Sequence, residues 1–129
     1  MKIYVVDNSK LICERIIALL SEIKEIEIVG DAQDVPTAVL AVQRLHPDVV
    51  IMDIQMSGGN GFDLLHFIKE NQLPIKVIVL TNAPYPQYKK RCLELGANYF
   101  FDKSTEFEKI IEVCNKLIQD PPTNCEKIN

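Results

Sequence analysis

The feature that most constrains this chain is a repeated change of hydrophobic period. Short apolar runs rich in β-branched residues alternate, about five times, with stretches whose apolar residues recur every three or four positions. The first pattern suits a strand and the second an amphipathic helix. Residues 3–6, 26–29, 49–52, 77–80 and 99–101 are the expected strands. Val49-Val50-Ile51-Met52 and Val77-Ile78-Val79-Leu80 are apolar throughout, as strands covered on both faces must be. Alternation of this kind implies an α/β fold with a parallel sheet and helices on both faces. Right-handed crossovers then limit it to a doubly wound arrangement.

Local signals place the helices between these runs. Ser9 offers an N-cap before the stripe Ile12, Ile16, Leu19, Leu20 and Ile23. Gly30 is expected to close the second strand. Asp34 and Pro36 open a helix over residues 37–45, which His46-Pro47 ends. Residues 57–61 read as a loop before the stripe Phe62, Leu64, Leu65 and Ile68. A fourth helix is expected from near Pro86 to Gly96. Thr105-Glu106-Phe107-Glu108 reads as a capping box opening a fifth, which Asp120-Pro121-Pro122 stops.

With 129 residues, one core buries roughly two-thirds of the unfolded surface, so one domain is expected. The net charge of −4 lacks the basic field that nucleic-acid binding needs. No apolar run is long enough to span a membrane, and the first residues are too short an apolar run for a signal peptide. A cytoplasmic location is expected. Cys13, Cys92, Cys114 and Cys125 form no Cys-x-x-Cys pair and no zinc spacing. The first three read as small core residues and Cys125 as a tail residue. His46 and His66 read as structural.

Chemistry concentrates where strands end. Asp7 follows the first strand, Asp53 the third, Thr81 the fourth, and Asp102-Lys103 the fifth. In a doubly wound sheet these carboxyl ends share one rim, and ligands sit there at the switch point in strand order. A carboxylate directly after Val49-Val50-Ile51-Met52 is costly unless it is used or solvated. Two carboxylates with an amide and a backbone carbonyl suit a hard cation such as Mg²⁺. A carboxylate beside that cation is a nucleophile for a phosphoryl group, with a lysine and a hydroxyl to receive the new oxygens. No phosphate-binding glycine loop follows the first strand, which disfavours nucleotide binding.

The segments Val5-Val6-Asp7-Asn8-Ser9, Val50-Ile51-Met52-Asp53-Ile54-Gln55-Met56, Val79-Leu80-Thr81-Asn82-Ala83 and Phe100-Phe101-Asp102-Lys103-Ser104 resemble the successive signatures of response-regulator receiver domains. Gly61-Phe62-Asp63-Leu64-Leu65 and Gly96-Ala97 fit as well. The resemblance runs in order over residues 1–119, leaving 120–129 as a polar tail or the start of a linker. It implies a five-stranded flavodoxin-like sheet of order 2-1-3-4-5. It implies Asp53 as phospho-acceptor, forming a 4-aspartylphosphate in a domain that is not otherwise an enzyme. It implies a Mg²⁺ site of Asp7, Asn8, Asp53 and the backbone carbonyl of Gln55. Thr81 and Lys103 would bind phosphoryl oxygens, and Thr81 and Phe100 would form the switch. A histidine kinase or phosphotransfer protein would be the donor, and the α4–β5–α5 face would change for a downstream partner or a homodimer.

Three departures matter. The second acidic residue usual after the first strand is Asn8, which predicts weaker Mg²⁺ binding. Ser57 stands where the family often has proline, which predicts a looser loop. Pro84 and Pro86 restrict the segment after Thr81 and are expected to start the fourth helix, leaving Tyr85 and Tyr88 as candidate contacts. A phosphorylation-independent interaction module is the main alternative, with a small phosphatase or flavin carrier behind it. Ten residues after position 119 hold no output module. The expectation is a stand-alone receiver acting through protein contact, or the front of a longer regulator.

Overall fold

The computed structural model describes residues 1–56 and 60–120. Five strands and five helices alternate: β1 (Lys2–Val6), α1 (Lys10–Leu20), β2 (Glu27–Ala32), α2 (Val35–Leu45), β3 (Val49–Met52), α3 (Gly61–Glu70), β4 (Lys76–Thr81), α4 (Pro86–Glu94), β5 (Tyr99–Asp102) and α5 (Lys109–Gln119). The sheet is parallel, in the expected order β2-β1-β3-β4-β5. The chain turns outward in both directions from between β1 and β3, so the switch point lies there.

Strand periodicity divides the core into two layers. Val50 and Met52 face one side with Val77 and Val79, covered by Ala38 and Val42 of α2 and Leu64, Leu65 and Ile68 of α3. Val49 and Ile51 face the other with Ile78 and Leu80, covered by Cys13, Ile16 and Leu20 of α1 and Ile110, Val113 and Cys114 of α5. Helices therefore pack on both faces, which is why β3 and the interior of β4 carry no polar side chain. Cys13, Cys92 and Cys114 are free and buried, as expected. Burial pushes the Cys92 and Cys114 thiols up to about 11, so they are protonated and unreactive at neutral pH. Cys125 and Ser57 lie outside the described residues.

Most helix starts follow the sequence signals. Ser9 accepts from the Ile12 amide and Asp34 from the Thr37 amide. Pro86 occupies the first turn of α4, and His46 closes α2 in the left-handed conformation. His66 is exposed and faces Glu70 at 3.5 Å.

Two expectations fail. β2 does not close at Gly30 but runs on to Ala32. The pairing skips Val29, since Ile3 faces Ile28 and Tyr4 faces Gly30. The glycine is there for space: a Cβ would lie 3.0 Å from the Tyr4 ring. Nor do residues 105–108 form a capping box on α5. The Asp102 carboxylate accepts the Ser104 amide and hydroxyl, turning the chain. Glu106 then accepts from the Asp102 amide at 2.9 Å and from Lys109. The helix is delayed to Lys109, with no side-chain cap. Phe107 precedes it but still packs on the α1–α5 layer.

Gly61 fixes the return from β3. Its amide donates to the Ile54 carbonyl at 2.7 Å. A Cβ there would stand 2.5 Å from both the Asp53 carbonyl oxygen and the Ile54 Cα. Both neighbours are backbone and cannot swing aside. Gly61→Ala should lower unfolding free energy by about 1–3 kcal/mol, the usual cost of overpacking. Urea unfolding checks this; unchanged stability would mean that the segment relaxes freely.

Candidate functional site

The ladders place the site residues before any side chain acts. Asp7, Asp53 and Lys103 each stand one residue beyond a strand. The Asp7 amide donates to the last carbonyl of β2, Ala32, at 3.0 Å. The Asp53 amide donates to Val6, the last residue of β1, at 3.0 Å, and the Lys103 amide to Thr81, the last of β4, at 2.8 Å. Three strand ends thus hold their next residue in register on a single rim.

The side chains converge there. Lys103 Nζ donates to Asp7 Oδ2 at 2.6 Å and to Asp53 Oδ2 at 2.7 Å. The remaining oxygens are also bound: Asp7 Oδ1 accepts the Ser9 amide and Asp53 Oδ1 the Gln55 amide. Asp7 is 2% exposed, Asp53 3% and Lys103 9%. Burial pushes the Lys103 ammonium toward deprotonation. The bonds to Asp53 and Asp7 outweigh it, leaving its pKa above the ordinary lysine value.

Thr81 is fully buried, and its Oγ1 accepts the Ala83 amide at 3.0 Å. Among the described residues, its hydroxyl proton has no acceptor. Phe100 sits one residue from the end of β5's apolar run, opposite Val79, half-buried in the α2–α3–α4 layer. Asn8 and Gln55 are exposed and line one hollow at the mouth, of about 370 Å³, with Met56, Asn60, Phe62 and Tyr88. Every residue singled out at the strand ends therefore lies on this rim, with Phe100 beneath it.

Sequence reasoning missed the support behind Asp7. Cys13 Sγ lies 3.6 Å from the Asp7 carbonyl oxygen. Gln33 Nε2 donates to Asp31 at 2.7 Å and reaches Cys13 Sγ at 3.5 Å, and Lys10 donates to Asp31 at 2.9 Å. These residues come from α1 and the end of β2, so no local spacing announced them. The aromatic wall of the mouth was half legible: Tyr88 stood out as a candidate contact and Phe62 only as part of a helix stripe, while Arg91, which lies over the Phe62 ring, was not singled out.

Comparison with known proteins agrees with this geometry. The model of the response regulator receiver domain matches residues 3–115. The sensory transduction protein LytT of Bacillus cereus is 32% identical over 126 residues, covering 98% of this chain and 50% of LytT. The response regulator domain of Thermotoga maritima CheB superposes with a TM-score of 0.80 at 28% identity, covering 92% of this chain and 94% of that one. The signal receiver domain of Mycobacterium tuberculosis NarL gives 0.80 at 27% identity, covering 89% and 95%. This chain spans about half the length of the relatives it matches in sequence, such as LytT. The order of its strand-end motifs, the sheet they terminate and these matches all lead to one place: the chain belongs to the response-regulator receiver family.

Proposed function

We propose that this receiver domain is a switch operated by phosphorylation of Asp53. The observation that carries this reading is the buried cluster at the switch point, where Lys103 bridges Asp7 and Asp53. Keeping two carboxylates this close and this dry costs stability unless they are paired and used. One oxygen of the Asp53 carboxylate attacks the phosphorus of a donor. The bond from phosphorus to the leaving group breaks with its electron pair, and an acyl phosphate forms. Lys103, already 2.7 Å from Asp53, meets the new phosphoryl oxygens with its charge. Thr81 gives them its uncommitted hydroxyl proton.

The donor atoms of the buried rim and its mouth suit Mg²⁺ by their chemistry. They are all oxygen: the carboxylates of Asp7 and Asp53, the amide of Asn8 and the backbone carbonyl of Gln55. When bound, the ion neutralises charge on the phosphoryl oxygens. Among the described residues, no group of three or more His, Cys, Asp or Glu side chains forms a metal cluster. Asn8 supplies an oxygen without a charge.

Phosphorylation replaces one carboxylate with a larger, more negative group. Thr81 moves toward it, and Phe100, half-buried beside the strand that bears Thr81, is free to follow. The α4–β5–α5 face then changes for a downstream protein or for a second copy. The donor is a histidine kinase or phosphotransfer protein, the partner class that the receiver family implies. Residues 1–119 form the receiver; the tail or linker expected over 120–129 lies, beyond Asp120, outside the described residues. Among the described residues no helix is long and apolar enough to cross a membrane, and a cytoplasmic site of action fits the free thiols.

Incubation with acetyl phosphate and Mg²⁺, read by intact mass, should add one phosphoryl group to the wild type and none to Asp53→Asn. An equal adduct on both would remove Asp53 from its role. Restoring the missing acid by Asn8→Asp should tighten Mg²⁺ binding by about tenfold, one charge at close range being worth about 1–2 kcal/mol at a partly solvated site. Isothermal titration of both proteins measures this. Equal affinity would show that position 8 does not face the ion.

A further inference from the structure

The mouth of the site does not end at Asn8 and Gln55. It runs into a groove between the start of α3 and one face of α4. The hollow of about 370 Å³ and a neighbouring one of about 630 Å³ share Asn60, Phe62 and Tyr88. On α4 the second hollow is lined by Gln87, Lys90, Arg91 and Glu94, positions that recur at the spacing of one helix face. This face turns toward α3, so the groove is distinct from the α4–β5–α5 surface.

Its floor is aromatic. The rings of Phe62 and Tyr88 meet edge to face at 6.0 Å, and Tyr85, 53% exposed, tilts against Tyr88 at 5.4 Å. The Arg91 guanidinium lies over the Phe62 ring at 4.8 Å. Stacking there holds the fork of donors in place without an acidic partner. Among the described residues, Lys89, Lys90 and Arg91 make no salt bridge, so no acid of this chain already occupies them. Two of these cations, Lys90 and Arg91, line the groove beside half-buried Tyr88, on a chain of net charge −4. Tyrosine and arginine in a partly apolar groove are the residues that anchor protein interfaces.

We propose that the α3–α4 groove docks an acidic segment of a partner protein, which seats an apolar side chain against Phe62 and Tyr88 and pairs its carboxylates with Lys90 and Arg91. The charge of the groove favours an acidic occupant, since Lys90 and Arg91 outnumber Glu94 along it; a second copy seating its own Glu106-Phe107-Glu108 is the rival that the dimer measurement below separates. Glu94, one turn beyond Lys90, ends the basic stretch and sets which end of the segment carries its charge. α4 is about 14 Å long, which an extended segment covers in about four residues. A short peptide therefore suffices as a probe, and docking requires no phosphorylation.

The test is amide-shift mapping of the full, unphosphorylated chain with an end-blocked Asp-Glu-Phe-Asp-Glu peptide. The proposal predicts a dissociation constant below about 1 mM. Shifts should centre on Asn60, Phe62, Tyr88 and Arg91. Binding should weaken at least about tenfold for the Asn-Gln-Phe-Asn-Gln and Asp-Glu-Ala-Asp-Glu peptides, which leave the protein untouched. K90E/R91E should weaken it as much. No binding at millimolar peptide, equal binding of the neutral peptide, or shifts centred on β5 and α5 would each overturn the proposal. So would sedimentation showing a dimer that Phe62→Ala dissolves, since a second copy would then fill the groove.

Discussion

The structure depends on one interaction, the bridge from Lys103 to Asp7 and Asp53. The parallel sheet sets two carboxylates side by side at the ends of β1 and β3, both almost dry. Without a cation between them they would repel each other and lose their hydration at once. Lys103 reaches both from the end of β5, across β4, at 2.6 and 2.7 Å. The cost of burying the ammonium is overcome by the same two bonds, and its pKa stays above the ordinary lysine value. Stability from this bridge is therefore fully present below the unfolded lysine pKa. It disappears only as pH rises through the higher folded value.

That bridge ties the energetics of the fold to its chemistry. In the proposed reaction, the ammonium that already compensates Asp53 is in place to meet the phosphoryl group. The backbone does the positioning: each site residue extends a ladder by one hydrogen bond past its strand's end. Gly61 and the Ile54 carbonyl then turn the chain away close under Asp53, so the backbone of Asp53 has little room to move. In the proposed switch, a rim held this firmly passes on a change of charge through Thr81, with its uncommitted proton, and half-buried Phe100.

Much of this was legible in the sequence because it is periodic or punctuated. Continuous apolar runs located β3 and β4, and the polar residues that interrupt them located the rim. The failures share a cause. Gly30 looked like a strand end because glycine usually is one, but the Tyr4 ring from a neighbouring strand needed its space. Thr105 to Glu108 looked like a capping box, but Asp102 captured Ser104 first and drew Glu106 back onto its own amide. The support of Asp7 by Cys13 and Gln33, and the stacking of Arg91 on Phe62, join residues far apart in the chain. Local patterns carry no trace of such pairs. Asn8 was readable as a departure from the family's acidic pair, and it lies exposed at the mouth of the rim.

The most direct test of the account is urea unfolding of Lys103→Met beside the triple variant Lys103→Met/Asp7→Asn/Asp53→Asn. Removing the lysine leaves two buried carboxylates without compensation, so the single variant should lose about 3–5 kcal/mol. Neutralising both acids should recover most of that loss, because the penalty belongs to the charges and not to the lysine's packing. If Lys103→Met unfolds at the wild-type urea concentration, or if the triple variant is no more stable than the single one, the bridge does not organise this rim.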